Sequence, residues 1–246
     1  MAALASGPHP SNALLYAVTA VALVLNVLWY VMIIHRGFRE RVLAVPPVSV
    51  LIYFSYDLTV VSGGFKSWLP AVPLPALGFF ALLDLAPLVQ IALYGPAHYT
   101  RVRRRTFYFL LLIALAVLGP SLPLLVGPFN DTYGLYTAAL TEISISFLYP
   151  VMLYTRGNLT GQSTAIATVW FIQSLTTGAW QLVVGFHVGL DHMDFILYTI
   201  FASVTASTVY LVAVRNMQRA STLRASAVSG EPKLGTAPKA GGQAAR

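Results

Sequence analysis

The composition of this 246-residue chain excludes an ordinary soluble domain. It is 57% hydrophobic and only 9% charged, whereas about a quarter of the residues in soluble domains are charged. The net charge of +7 comes from basic residues in short clusters between long apolar runs, so no nucleic-acid-binding face is expected. The chain has no cysteine, which excludes disulfides and thiolate chemistry.

Seven apolar stretches are long enough to cross a bilayer, which takes about 18 or more apolar residues. In chain order they cover residues 13–34, 42–61, 75–94, 107–127, 134–154, 164–188 and 194–214. The sequence therefore predicts an all-α fold, a polytopic membrane protein with one seven-transmembrane-helix domain over residues 1–220. Residues 221–246 are rich in Ala, Gly, Ser and Pro, and we expect them to form a disordered cytosolic tail.

Arginines indicate the orientation of the spans. The loops after spans one, three, five and seven contain Arg36, Arg39, Arg41, Arg101, Arg103, Arg104, Arg105, Arg156, Arg215, Arg219 and Arg224, and the alternate loops contain Lys66 alone. Cytoplasmic loops carry the excess of basic residues in membrane proteins. This bias predicts an N-terminus on the outer or lumenal side and a cytosolic C-terminus.

Three acidic residues lie inside predicted spans: Asp57 in span two, Asp84 in span three and Glu142 in span five. A charged side chain near the bilayer centre costs about 2.5–3.5 kcal/mol, so such acids are functional candidates. At about 1.5 Å per residue, all three lie between the outer surface and the midplane, which predicts one shared cavity. The alternative is that each acid only forms a hydrogen bond with a neighbouring helix.

Aromatic side chains accompany these acids. Tyr53 and Phe54 precede Asp57 by four and three residues and share its helical face. A neutral carboxyl group beside aromatic rings can donate a proton and then stabilise the resulting cation. Phe80 and Tyr149 are further candidates for such cation-stabilising walls, although aromatic residues in spans also serve as lipid-facing or interfacial packing.

Several other chemistries are excluded or disfavoured. The lysines are Lys66, Lys233 and Lys239, all outside the spans, so a retinal Schiff base cannot form. No aspartate-rich cluster is present to bind magnesium and a diphosphate, and no P-loop or dinucleotide glycine pattern occurs. The group His187, Asp191, His192 and Asp194 could bind a metal, but an interfacial polar cap is the better interpretation. No metal and no cofactor are therefore predicted.

Short segments in a fixed order between residues 25 and 215 point to a family. They are Gly37–Arg41 followed by the Tyr56-Asp57 pair, then Tyr94–Tyr99, Gly127-Pro128 with Tyr133, and Arg156-Gly157 with Gly161–Ser163. In this series the chain resembles the small seven-helix integral membrane terpene cyclases of meroterpenoid and indole-diterpenoid pathways, the pyripyropene and paspaline cyclase type.

The resemblance implies an enzyme of secondary metabolism that protonates a lipophilic, prenylated and epoxidised or olefinic scaffold. Cyclisation then proceeds without metal or loss of diphosphate. The family uses one acid in span two, which corresponds to Asp57, and a second in span seven, where this chain has Thr205 at or near the position. Asp194 lies about 16 Å from the depth of Thr205 and is not a substitute.

Two explanations of the missing second acid remain. Either Asp84 or Glu142 has taken its role, or this chain has a changed activity or none. The rival functional class is a non-enzymatic seven-helix transporter or receptor, in which the same acids would bind a ligand or relay protons.

Overall fold

The chain is all-helical in a computed structural model, which describes residues 11–66 and 78–229, with side chains up to residue 223. The helices are α1 (Asn12–Glu40), α2 (Pro47–Val61), α3 (Phe79–His98), α4 (Arg104–Leu118), α5 (Ser121–Val126), α6 (Leu135–Arg156), α7 (Thr164–Val188) and α8 (Met193–Ser229). No β-strand occurs within the described ranges. The predicted all-α class is confirmed.

Several of these helices mark the chain as a multi-pass membrane protein. Within the described ranges, five are long and apolar enough to cross a bilayer: Asn12–Glu40, Phe79–His98, Arg104–Val126, Leu135–Arg156 and Met193–Leu223. Helix α2 is apolar but has only 15 residues, and α7, with 25 residues, carries buried glutamines and a buried serine. Many large apolar side chains are exposed, as on α4, where a bilayer would cover them.

Local sequence signals define most helix ends. Ser11 accepts a hydrogen bond from the Leu14 N–H at 3.3 Å to begin α1, and Ser163 does the same for α7 with the Ile166 N–H at 3.2 Å. Such caps satisfy backbone donors that a helix leaves free at its start. Gly157 and Gly189 end α6 and α7 in the left-handed conformation, which glycine adopts at little cost.

The predicted span 107–127 is broken in the structure. Gly119 and Pro120 separate α4 from α5, because proline has no N–H to continue the helical hydrogen bonds. The Ser55 side chain on α2 fills the break: its hydroxyl donates to the Gly119 carbonyl at 2.6 Å and accepts from the Leu122 N–H at 3.4 Å.

Two other predicted boundaries differ from the structure. Helix α8 continues to Ser229, so the predicted start of a disordered tail at residue 221 is wrong; the stretch contains alanines and arginines, which favour helix. Residues 230–246, and residues 75–77 at the predicted start of span three, lie outside the described residues.

The two ends of the helix bundle differ in their loops. We call the end with residues 41–46, 99–103 and 157–163 the arginine-rich end, and the end with residues 62–66, 127–134 and 189–192 the arginine-poor end.

Helix α8 packs against α6 and α7, α1 packs against α7, and α2 packs against α3. Towards the arginine-rich end, buried aromatic rings fill the core. The ring centroids of Trp29 and Trp170 are 5.0 Å apart, and the rings of Tyr149 and Tyr210 stack with their centroids 4.8 Å apart.

Candidate functional site

A pair of carboxyl groups lies where α2 packs against α3. The carboxyl group of Asp57 on α2 lies beside that of Asp84 on α3. Asp84 is only 1% exposed; its Oδ1 accepts a hydrogen bond from the Tyr30 hydroxyl on α1, and its Oδ2 has no hydrogen-bond partner among the described residues. Two neighbouring carboxyl groups in a buried site cannot both ionise at low cost. We call Asp57 and Asp84 the carboxyl pair.

The Asp57 side opens onto a cavity of about 130 Å³ between α1, α2, α3, α6 and α7. Polar residues on its wall include Thr19, Asn26, Tyr53, Asp57, Glu142 and Gln173. The rest of the wall is largely apolar and aromatic, with Val60, Phe80 and Trp180 among its members. The site therefore combines carboxyl groups with ring faces in a space whose accessible surface is mainly apolar.

Glu142 on α6 is the second acid on the cavity wall and is 6% exposed. The Tyr53 hydroxyl donates to its Oε2 at 3.2 Å. The Ser174 hydroxyl lies beside the same carboxyl group but does not reach hydrogen-bond geometry, and Oε1 has no partner among the described residues. Tyr53 thus connects Glu142 with the helix that carries Asp57.

Asp84 lies behind Asp57, away from this cavity. It borders a second space of about 10 Å³ between Trp29, Tyr30 and Ser49. The predicted sharing of one cavity therefore applies to Asp57 and Glu142, while Asp84 joins them through contact with Asp57. The packing of α2 on α3 accounts for this, because it places Asp84 against Asp57 rather than facing the space between α1 and α6.

The aromatic candidates separate into two groups. Tyr53 and Phe80 line the cavity, as expected for cation-stabilising walls. Phe54 is half-buried and does not line the cavity. It follows Tyr53 by one residue, which turns its side chain by about 100° around the axis of α2. Tyr149 is fully buried in the aromatic core with Trp29, Trp170 and Tyr210, so its assignment to the cavity wall is wrong.

Thr205, the residue at or near the position of the family's second acid and a candidate for substrate contact, lies away from the cavity. It is exposed on α8, and its hydroxyl donates to the Phe201 carbonyl of its own helix at 2.8 Å. The buried face of α8 contains Ser203, Ser207 and Tyr210, spaced four and three residues apart. Thr205 lies on another face of the helix, so it cannot stand in for a second acid in the core.

Uncharged polar residues of α1 and α7 are the members of the site that sequence reasoning missed. Thr19, Asn26, Gln173 and Thr177 all line the cavity. Carboxyl groups stand out in an apolar span, whereas a single amide or hydroxyl group changes the hydropathy of a helix little. A glutamine inside a predicted span was the one available signal, since unpaired amides are costly in an apolar environment.

The acidic residues near the loops are either exposed or hydrogen-bonded at the start of a helix. Asp191, His192 and Asp194 are exposed, and within residues 11–66 and 78–229 no three ligand-type side chains converge as a metal site would need. Asp131 is buried and accepts hydrogen bonds from the Thr137 N–H at 2.7 Å and its hydroxyl at 2.8 Å. It stabilises the start of α6.

No family model, no curated protein and no solved structure matches this chain. The chemistry of the cavity is therefore the basis on which a function can be assigned.

Proposed function

We propose that the protein crosses the membrane seven times, with α2 and α7 as spans beside the five long apolar helices, and α4 with α5 as one span. The N-terminus is outside or lumenal and the C-terminus is cytosolic. The support is the arginine bias of alternate loops. Contact of α1 and α8 with α7, and of α3 with α2, gives α2 and α7 protein neighbours for their polar residues.

We further propose that this membrane protein is a metal-independent terpene cyclase, which starts cyclisation of a prenylated scaffold by proton transfer. The observation that carries the proposal is the carboxyl pair at the wall of a cavity that is mainly apolar and aromatic. Because two neighbouring buried carboxylates are costly, we infer that both groups are protonated at rest and that Asp57 is available as a general acid. The segments that resemble the membrane terpene cyclases add to this support.

The proposed reaction uses each part of the site once. Both carboxyl groups begin protonated, and Asp57 transfers its proton to the epoxide oxygen, whose C–O bond then breaks, or to the terminal alkene carbon. One negative charge is left on the pair, where the remaining proton of Asp84 is shared with Asp57 and the Tyr30 hydroxyl donates to Asp84. Electrons of a neighbouring alkene then form the new C–C bond. The faces of Phe80 and Tyr53 stabilise the cation, and the apolar wall excludes water that would quench it. The final cation loses a proton to form an alkene, and proton uptake by the carboxyl pair restores the site.

The size of the cavity limits what this closed state can contain. A cavity of about 150 Å³ accepts benzene, and this one has about 130 Å³, room for a ring-sized part of a substrate. Binding a whole prenylated scaffold requires the surrounding helices to separate. A lipophilic substrate can enter between helices from the bilayer, which suits an enzyme embedded there.

A second function is favoured by the polar side of the cavity. Glu142 and Gln173 present oxygen atoms without partners among the described residues, and a non-enzymatic transporter or receptor could bind a proton or a cationic ligand there. Uptake into sealed vesicles without any chemical change of the ligand would identify this class.

The decisive experiment incubates membranes containing the full-length protein with epoxidised prenylated aromatic compounds, with products identified by mass spectrometry and NMR. We expect Asp57→Asn to lower the cyclisation rate by about 100-fold or more, because removal of a general acid costs that much. Asp194→Asn is the matched control, since Asp194 is an exposed acid at the start of α8. Cyclisation at the normal rate by Asp57→Asn would show that Asp57 is not the donor.

The role of the second acid needs its own variant. Asp84→Asn keeps the shape of the side chain but removes the group that shares the proton, so we expect slower turnover at unchanged expression. A normal rate would contradict the function of the carboxyl pair as a unit.

A further inference from the structure

The α1, α6 and α7 side of the cavity carries polar atoms that have no hydrogen-bond partner among the described residues. They are Thr19 Oγ1, Glu142 Oε1 and Gln173 Oε1, all on residues that line the cavity. These residues are 4%, 6% and 5% exposed, respectively. Buried polar atoms in proteins are nearly always hydrogen-bonded, so three on one cavity wall indicate that a bound group supplies the missing bonds.

The chemistry of these atoms defines that group. Glu142 Oε1 and Gln173 Oε1 are acceptors, and a carboxylate oxygen can accept two hydrogen bonds, so the neighbouring Ser174 hydroxyl would not exhaust it. The Gln173 Nε2 already donates to Thr177 Oγ1 at 3.1 Å. Among the residues that the structure describes, no Lys or Arg side chain lines the cavity, and Asp57 adds a further acid. An anionic ligand is therefore disfavoured, and a hydrogen-bond donor is required.

The volume limits the size of the donor-bearing ligand part. About 130 Å³ approaches the volume of an apolar cavity that binds benzene. Val60, Phe80 and Trp180 provide apolar contacts for a ring on the same cavity wall. Ligand sites commonly pair such apolar walls with a few polar groups that set the orientation.

We propose that this wall, formed by Thr19, Glu142 and Gln173, is a binding site for a ring that carries an O–H or N–H donor. Its interpretation as the site for the polar head of the substrate rests on the proposed cyclase function, whereas ring binding itself does not. Glu142 then orients the substrate rather than serving as a second proton donor. A head group held here would fix which part of the ligand faces Asp57 on α2.

Phenol and toluene are matched probes of this site, because they have nearly the same shape and only phenol carries a donor. We would measure their binding to the full-length protein in nanodiscs by calorimetry, with protein-free nanodiscs as the reference for partition into lipid. We expect phenol to bind about tenfold more tightly than toluene, since a hydrogen bond to a buried, otherwise unpaired acceptor is worth about that factor.

Two variants test whether the preference for phenol over toluene arises from the wall of Thr19, Glu142 and Gln173. Thr19→Val and Gln173→Met keep approximate side-chain size and should each lower the phenol-to-toluene ratio several-fold, while toluene affinity stays unchanged. Thr205→Val is the matched control, because Thr205 is exposed and away from the cavity. It should leave the ratio at the wild-type value.

The outcomes separate this site from catalysis. Equal affinities for the two probes, no binding of either, or a preference that survives both Thr19→Val and Gln173→Met would overturn the proposal. If one variant no longer binds toluene, its cavity has collapsed, and the result for the other variant then tests the proposal. Loss of toluene binding in both variants would contradict the proposal, because the wall is expected to contribute only hydrogen bonds. None of these measurements involves turnover, so a failure here leaves the Asp57→Asn result intact, and the reverse holds too.

Discussion

Buried glutamines behave differently at the arginine-rich end and at the cavity. Gln90 Nε2 donates to the Ile34 carbonyl at 2.9 Å, and Gln162 bonds both the Ala44 carbonyl, at 2.5 Å, and the Tyr210 hydroxyl. At the cavity, Gln173 Oε1 has no partner among the described residues. Glutamine side chains are buried in both regions, but they have hydrogen-bond partners at the arginine-rich end and an acceptor without a partner at the cavity.

This difference separates structural from functional polarity. A buried amide with all its partners holds loops and helices in one arrangement, as Gln162 does between the α1–α2 loop and α8. A buried amide without them lowers stability, and a protein tolerates this cost where a ligand restores the bond. For Gln162 and Gln173, the hydrogen-bond partners rather than the residue type therefore indicate the role.

The largest effect should come from Gln162→Leu. It leaves the Ala44 carbonyl and the Tyr210 hydroxyl unpaired in the core, so we expect a loss of about 2–6 kcal/mol in the free energy of unfolding, at about 1–3 kcal/mol for each unpaired group. The measurement is denaturant unfolding in detergent micelles. A change below about 0.5 kcal/mol would mean that both groups find other partners.

A smaller loss should follow Gly161→Ala at the same end. Gly161 has φ +77°, and its N–H donates to Glu40 Oε2 at 2.6 Å. An added Cβ would lie 3.1 Å from the Leu43 carbonyl oxygen. The left-handed backbone alone costs an L-residue about 1–2 kcal/mol, and this contact adds to it.

Gly157→Ala is the control for that measurement, because Gly157 also has a positive φ of +64° but has nothing within 4 Å of an added Cβ. Both variants should lower the unfolding midpoint, and Gly161→Ala should lower it further. Equal shifts would show that the contact with the α1–α2 loop has no energetic role.

The smallest effect is expected for Gln173→Leu. The substitution removes an amide with an unsatisfied oxygen, so the free energy of unfolding should change by less than about 1 kcal/mol or rise, because replacing an unpaired polar group by an apolar one can stabilise. Thermal unfolding of the ligand-free protein in micelles tests this. A loss as large as that of Gln162→Leu would remove the distinction between the two regions.

The features of the fold that follow from hydropathy could be predicted from sequence. Long apolar runs led to helices near their observed places, and Asp57 and Glu142 were expected at one cavity because an acid in an apolar span requires an explanation. The break at Gly119 and Pro120 shows where this reasoning fails. A local change of chain direction hardly alters the mean hydropathy of a span.

The members of the site depend on helical phase, which hydropathy does not report. Thr205 was chosen by alignment of short segments, but a shift of two residues along a helix turns a side chain by about 200°, and the buried hydroxyls are those of Ser203 and Ser207. Thr19 and Gln173 were missed because only the packing of α1 against α7 brings them to one wall.

Helix α4 with α5 contributes no residue to the cavity wall, yet the break between them affects Asp57. Ser55 is held from behind by the Gly119 carbonyl and the Leu122 N–H, and it lies two residues before Asp57, about 200° around the axis of α2. These two bonds to the α4–α5 break thus hold the short helix α2 against rotation about its own axis. The orientation of Asp57 towards the cavity is supported by a serine on the opposite side of α2, and by the Gly119-Pro120 break between α4 and α5, whose residues do not line the cavity.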